Sequence, residues 1–273
     1  MLDGIMMTWF VLTALSVLYV AFDSLRTPES PVLKWAFVLF TAYTGPVGAF
    51  LYVLGCREPL PGLHAQYTAT PWRQILGSTM HCVAGDGLGI LVGAVIGGLV
   101  ALSMPVEIAL EYALGFGFGW VIFQALFMKA SAGGSFVRAL RKTFIPELVS
   151  MNYLMGAMMV VMALAARALP ESRDPTGPVF WFVIAMALLA GFLAAWPVNG
   201  WLVRRGLKHG MMTVRPPGSP ADEPEGHGAH AGGHTGAAGH AGGRVTPAQV
   251  ALQVGLSFLV LAAGLAFALS LGH

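Results

Sequence analysis

Residues 77–97 read GSTMHCVAGDGLGILVGAVIG, an apolar stretch of membrane length that carries His81, Cys82 and Asp86 within two helical turns. A helix turns about 100° per residue, so His81, Cys82, Gly85, Asp86, Gly89 and Gly93 share one face. Ionisable groups in a lipid-crossing helix are costly, and by default they mark function. The ridge Gly85, Gly89, Gly93 and Gly97 lets another helix approach closely, so this polar face is expected to meet protein rather than lipid.

Composition carries the same reading outward. The 273-residue chain is 56% hydrophobic and 10% charged, against about 25% charged in an ordinary soluble domain. That deficit excludes a soluble globular protein. A net charge of +2, with basic residues gathered in loops, gives no footprint for nucleic acid. Two cysteines, Cys56 and Cys82, make no disulfide framework. Arginine outnumbers lysine, and alanine and glycine are abundant, as in bacterial proteins.

Runs near the length of about 20 residues that crosses a bilayer occur at 5–22, 33–55, 78–103, 106–128, 147–169, 178–203 and 248–271. The expectation is an all-α, polytopic transmembrane helical bundle of about seven helices. Residues 1–74 would hold two transmembrane helices and 75–211 a central four-helix membrane domain. Residues 212–246 would form a disordered His/Gly-rich loop, and 247–273 a last transmembrane helix. Asp3 stands where a signal peptide would be positive. Pro46 and Pro197 are expected to kink helices two and six. Residues 129–145 read as a basic amphipathic segment on the membrane surface.

With seven crossings, one side holds Arg57, Arg73, Lys129, Arg138, Arg141, Lys142, Arg204, Arg205, Lys208, Arg215 and Arg244. The other holds Arg26, Lys34, Arg167 and Arg173. The positive-inside rule then puts the N-terminus and the His-rich loop in the cytoplasm of a bacterial inner membrane. Helix one alone, with Asp3 before it and Arg26 after it, favours the opposite orientation.

In helix five, Met151, Met155, Met158, Met159 and Met162 follow i, i+4, i+7, i+8 and i+11 and form one stripe. Thioethers select Cu(I), and they also fill gaps in helix packing. By helix direction His81, Cys82, Asp86, Glu147, Met151 and Asn152 lie at one depth, joined by Gln124, Met128 and Asn199. Cys56 lies near that level. The layer suits a metal site, a proton relay through Asp86, His81 and Glu147, or hydrogen bonding that only fixes the bundle. His227, His230, His234 and His240 form a flexible tract suited to buffering metal, or are compositional drift. His64 and His209 read as ordinary interface residues. Glu111, near Met104 and Glu107, is a candidate for lining a vestibule at the opposite face. No phosphate-cradling loop, dinucleotide fingerprint or hydrolytic triad is present, and GFGFG at 115–119 reads as close helix packing.

The segments MHCVAGDGLGILVG (80–93), MNYLMGAMMVVM (151–162) and AAWPVNGWLVRRGLKHGM (194–211) resemble the family known as domain of unknown function 4396, over roughly residues 75–211. The resemblance implies a multi-pass membrane protein and supplies no activity to carry over. His81 and Asp86 are also similar to the His-x4-Asp-His signature of nickel/cobalt transporters. Ala84 and Gly87 stand where that signature has another acid and its second histidine.

The leading expectation is an inner-membrane protein that transports or relays a soft transition metal, above all Cu(I). His81 and Cys82 would be ligands, the helix-five methionines a relay and the histidine loop a buffer. Partners would be the lipid bilayer, a metal chaperone or a second copy. The competing reading is a non-catalytic membrane scaffold or assembly factor with no transported substrate. An enzymatic haem site is the least supported, for want of a second deep histidine.

Overall fold

The computed structural model describes residues 2–58, 60, 62–128, 134–210 and 245–271, and they are almost entirely α-helical. In chain order the helices are α1 (Leu2–Ser24), α2 (Pro31–Thr44), α3 (Pro46–Gly55), α4 (His64–Thr68), α5 (Pro71–Val100) and α6 (Met104–Gly117). The α6 rod runs on through a π-helical stretch, Phe118–Ala125, into α7 (Leu126–Met128). Then come α8 (Phe136–Ala168), α9 (Pro178–Arg204) and α10 (Pro247–Leu271). Proline opens α2, α3, α5 and α9, where its missing N–H costs nothing and its fixed φ suits the first turn. Ser30 and Ser135 cap α2 and α8 by accepting from the N–H groups of Leu33 and Arg138.

Six of these segments are long and apolar enough to cross a membrane: α1, α5, the α6–α7 rod, α8, α9 and α10. The chain is therefore an all-α bundle, and its second apolar run is broken into two helices that are not among these six. At 14 and 10 residues, α2 and α3 reach about 21 and 15 Å at 1.5 Å per residue, short of the roughly 30 Å hydrocarbon core. Gly45 separates them with φ +61°, a conformation that costs glycine little, and Pro46 starts a new helix. The chain folds back rather than kinking. Phe37 and Tyr52 meet edge to face at 5.3 Å, and a side chain at Gly48 would strike Thr41 and Thr44. Gly45 lies against Trp9 and Thr13 in mid-α1. The end of α3 is back beside the end of α1, where Tyr52 donates to Asp23 (3.0 Å) and Arg57 pairs with Asp23 (2.6 Å). Residues 31–55 thus form a re-entrant helical hairpin whose far end returns to the end of α1.

The glycine ridge of α5 packs as the sequence implies, but its partner is the α6 rod. Added methyls at Gly85, Gly89, Gly93 and Gly97 would meet Phe123, the Leu114 backbone, Glu111 and Glu107 in turn, a descending antiparallel register. Gly156 of α8 and Gly264 of α10 make a second backbone-close crossing, locked by Asn152 donating to Ser257 (3.0 Å). The basic stretch before residue 146 is not a separate surface segment in its described part: residues 136–145 are the first turns of α8, which continues through Pro146. Pro197 likewise lies inside α9.

Candidate functional site

Cys82 and Asp86 on α5, Gln124 in the π-helical stretch, Glu147 and Ser150 on α8 and Asn199 on α9 converge in the interior, all within 1% of complete burial. Helical period and span direction place them at one depth, as the sequence implies. The Cys82 thiol donates to Glu147 Oε2 at 3.0 Å, with Asp86 Oδ2 at 3.9 Å and Ser150 Oγ at 3.4 Å. One ligand atom each from Cys82, Asp86 and Glu147 falls within 4.8 Å of the others.

The residue the sequence reading missed is Lys208. After α9, Gly206 adopts φ +68°, and the N–H groups of Gly206 and Leu207 bond back to Val203 and Leu202 at 3.0 and 2.9 Å. That is a Schellman cap, and it turns the chain back into the bundle. Lys208 Nζ donates to Cys82 Sγ (2.8 Å), Asn199 Oδ1 (3.0 Å) and Glu147 Oε2 (3.4 Å). All three ammonium donors are used in a side chain 1% exposed. Burial works against this ammonium, but Cys82, Glu147 and Asp86 outweigh it and hold Lys208 above the ordinary lysine range. His209 follows Lys208 inward. Its Nε2 lies 2.9 Å from Gln124 Oε1, and burial pushes its pKa down to about 4.

Asp86 Oδ1 and Glu147 Oε1 have no hydrogen-bond donor from another side chain among the described residues, and the two carboxyl groups bond to each other. Both face Gly119, where an added methyl would collide with each. Gly119 lies in the π-helical stretch, and such local widenings are concentrated at functional sites. The missing side chain at Gly119 leaves room for this carboxyl pair.

His81 is fully buried but stands apart from this cluster. Its Nε2 lies 3.1 Å from the Phe123 carbonyl, and its ring packs with Phe123, Phe127 and His209 at 5.6, 4.9 and 5.3 Å. The methionine stripe divides. Met151 is buried near Gly115, which also adjoins Ile90 and the Asp86 carbonyl. Met155, Met158, Met159 and Met162 instead line a cavity of about 390 Å³ toward the opposite face, with Met104, Glu107 and Glu111. Glu111, the residue expected to line a vestibule, lines this cavity. His227, His230, His234 and His240 lie outside the described residues.

Fold and site define a polytopic all-helical membrane protein with a buried thiol–carboxylate–ammonium centre. A family model matches residues 71–208, ending on Lys208, and the chain belongs to that family, described as domain of unknown function (DUF4396). No curated protein and no solved structure matches the chain.

Proposed function

We propose that this protein moves a transition-metal cation across the membrane through the Cys82–Asp86–Glu147 centre, with Lys208 as a built-in cation that holds the site when no metal is bound. One observation carries this reading: a thiol and two carboxylates meet within 4.8 Å in the buried interior, around an ammonium. Neutral hydrogen bonds would fix a bundle at less desolvation cost than four ionisable groups, so a purely structural role leaves the cluster unexplained. A divalent ion would take over the negative charge that faces Lys208, and its ligands must lose their protons to bind it. Loading therefore expels protons, and Lys208 withdraws on its short non-helical segment.

The donor set bears on the metal. Cu(I) favours thiolate with thioether, whereas one thiolate with two carboxylates suits a borderline divalent ion such as Zn(II) or Co(II). The methionines that would favour Cu(I) lie mainly in the vestibule. Ile90 lines that cavity and lies with Met151 beside Gly115, which adjoins the Asp86 backbone carbonyl, and these residues would gate a route from one face to the other.

The fold-back of 31–55 also supports a new orientation. With six crossings, Arg26, Lys34, Arg57, Arg73, Arg138, Arg141, Lys142, Arg204, Arg205 and Lys208 fall toward one face, against Arg167 and Arg173 toward the other. The first face is cytoplasmic by the positive-inside rule. The N-terminus then lies outside, and the preference of helix one no longer conflicts with the loops.

Proteoliposomes enclosing a metal indicator test the proposal. Zn(II) or Co(II) should enter faster than into protein-free vesicles. Cys82→Ser and Glu147→Gln should abolish the excess. Wild-type entry at the protein-free rate would refute transport, and unchanged entry with Cys82→Ser would refute this centre.

A further inference from the structure

A second cluster of metal-ligating side chains lies outside the family-matched region, where the re-entrant hairpin returns. Glu29 comes from the α1–α2 linker, Cys56 from the end of α3 and His64 from the first turn of α4. Each is at most 4% exposed, and one ligand atom from each falls within 4.8 Å of the others. His64 Nε2 is 2.7 Å from Glu29 Oε1, and its Nδ1 faces Glu58 Oε2 at 3.7 Å. Glu29 Oε2 is buried without a hydrogen-bond partner. Arg57, next to Cys56, is committed to Asp23 and Tyr19 and does not serve these carboxylates.

This is the chemistry of a borderline divalent cation. Imidazole, thiolate and carboxylate are the usual ligands of Zn(II), and a histidine that binds through one nitrogen commonly has its other nitrogen held by a carboxylate. Glu58 is placed for that second task. The three ligands come from three separate segments, so an ion between them would tie the hairpin's exit to its beginning.

We propose that Glu29, Cys56 and His64 form a structural metal site of the Zn(II) type, with Glu58 orienting the His64 ring, which pins the re-entrant hairpin shut. The site is independent of the Cys82 centre and survives if that centre binds nothing.

Co(II) is the probe, because a cobalt-bound thiolate gives a near-ultraviolet charge-transfer band that histidine-only binding lacks. The full chain in detergent carrying Cys82→Ser has Cys56 as its only thiol, and it should develop this band on Co(II) addition and lose it to added Zn(II). In that background, His64→Ala and Glu29→Gln should each weaken Co(II) binding by at least about tenfold, the scale of effect that even outer-shell partners produce. Glu58→Gln should weaken it less. Size-exclusion profiles identify any variant that fails to fold, and Glu29→Gln, nearly isosteric, keeps the test open if His64→Ala does not fold. No band in Cys82→Ser, or a band of unchanged affinity in folded His64→Ala and Glu29→Gln, would overturn the assignment.

Discussion

Replacing Lys208 with Met keeps an unbranched, similarly long side chain in place while deleting the ammonium and its bonds to Cys82, Asn199 and Glu147. Breaking a buried ion pair by removing one partner costs about 3–5 kcal/mol, because the remaining charge is left uncompensated. The cost falls on the closed position of residues 206–210, the segment that folds back over the site. A penalty of about 3 kcal/mol shifts the closed-to-open equilibrium roughly a hundredfold. Cys82 is completely buried, so it reports that opening directly. In membranes carrying the Cys56→Ser chain, a water-soluble maleimide should label Cys82 slowly, and Lys208→Met should accelerate labelling by roughly a hundredfold if opening is in fast equilibrium. The double variant Lys208→Met/Glu147→Gln removes the stranded carboxylate and should recover a large part of the protection, giving a coupling above about 1 kcal/mol. Acceleration of less than about fivefold, or a double variant no better protected than Lys208→Met, would show that Lys208 does not hold the segment closed.

Gly119→Ala should collide with the carboxylates of Asp86 and Glu147 and cost about 1–3 kcal/mol in thermal unfolding, whereas Gly117→Ala, with open space around it, should be nearly silent; equal behaviour would contradict this fit. His209 is neutral in the folded chain, with its pKa depressed to about 4 by burial. The unfolded chain therefore binds more protons between about pH 6.5 and 4. Across that window folding stability should fall by about 2 kcal/mol, below the full value of the shift because the ring keeps some exposure. His209→Gln, which can still reach Gln124, should flatten the decline, and an unaltered pH profile would contradict it. His81 and Lys208 face the same ring, so His81→Gln is the control for the second histidine. Protease-accessible tags fused at residues 1 and 273 should both be cleaved from outside the cell, and a cytoplasmic N-terminal tag would reject the six-crossing topology.

The depth of the polar layer was legible because helical period and alternating span direction fix how far each residue sits from a face. Cys82, Asp86, Gln124, Glu147 and Asn199 could be brought together without knowing any contact. Their lateral partners could not. The glycine ridge announced a close neighbour, yet nothing in the period of α5 says whether that neighbour is the α6 rod or α8. Lys208 was hidden for a different reason. Counted with Arg204 and Arg205, it looks like one more loop cation, and only the Gly206 turn carries the chain back inward. The signal was the glycine two residues after the last helical arginine: it marks a helix end in the left-handed conformation, so the following residues reverse direction and can re-enter the bundle.

The re-entrant hairpin had two signals in the sequence, and they are the same physical fact seen twice. Gly45–Pro46 pairs a residue that freely takes positive φ with one suited to the first turn of a new helix, which is the grammar of a reversal rather than a bend. Asp3 and Arg26 independently oriented helix one against the positive charge of the later loops. Under the proposed topology, treating 33–55 as a crossing creates that conflict, because every later loop then changes parity relative to α1. Removing one crossing transfers Arg26 and Lys34 to the basic face without moving any later helix. Under the proposed topology, a charge conflict confined to one end of a membrane chain points to the span between the conflicting helix and the rest, and here the run in that interval contains Gly45–Pro46.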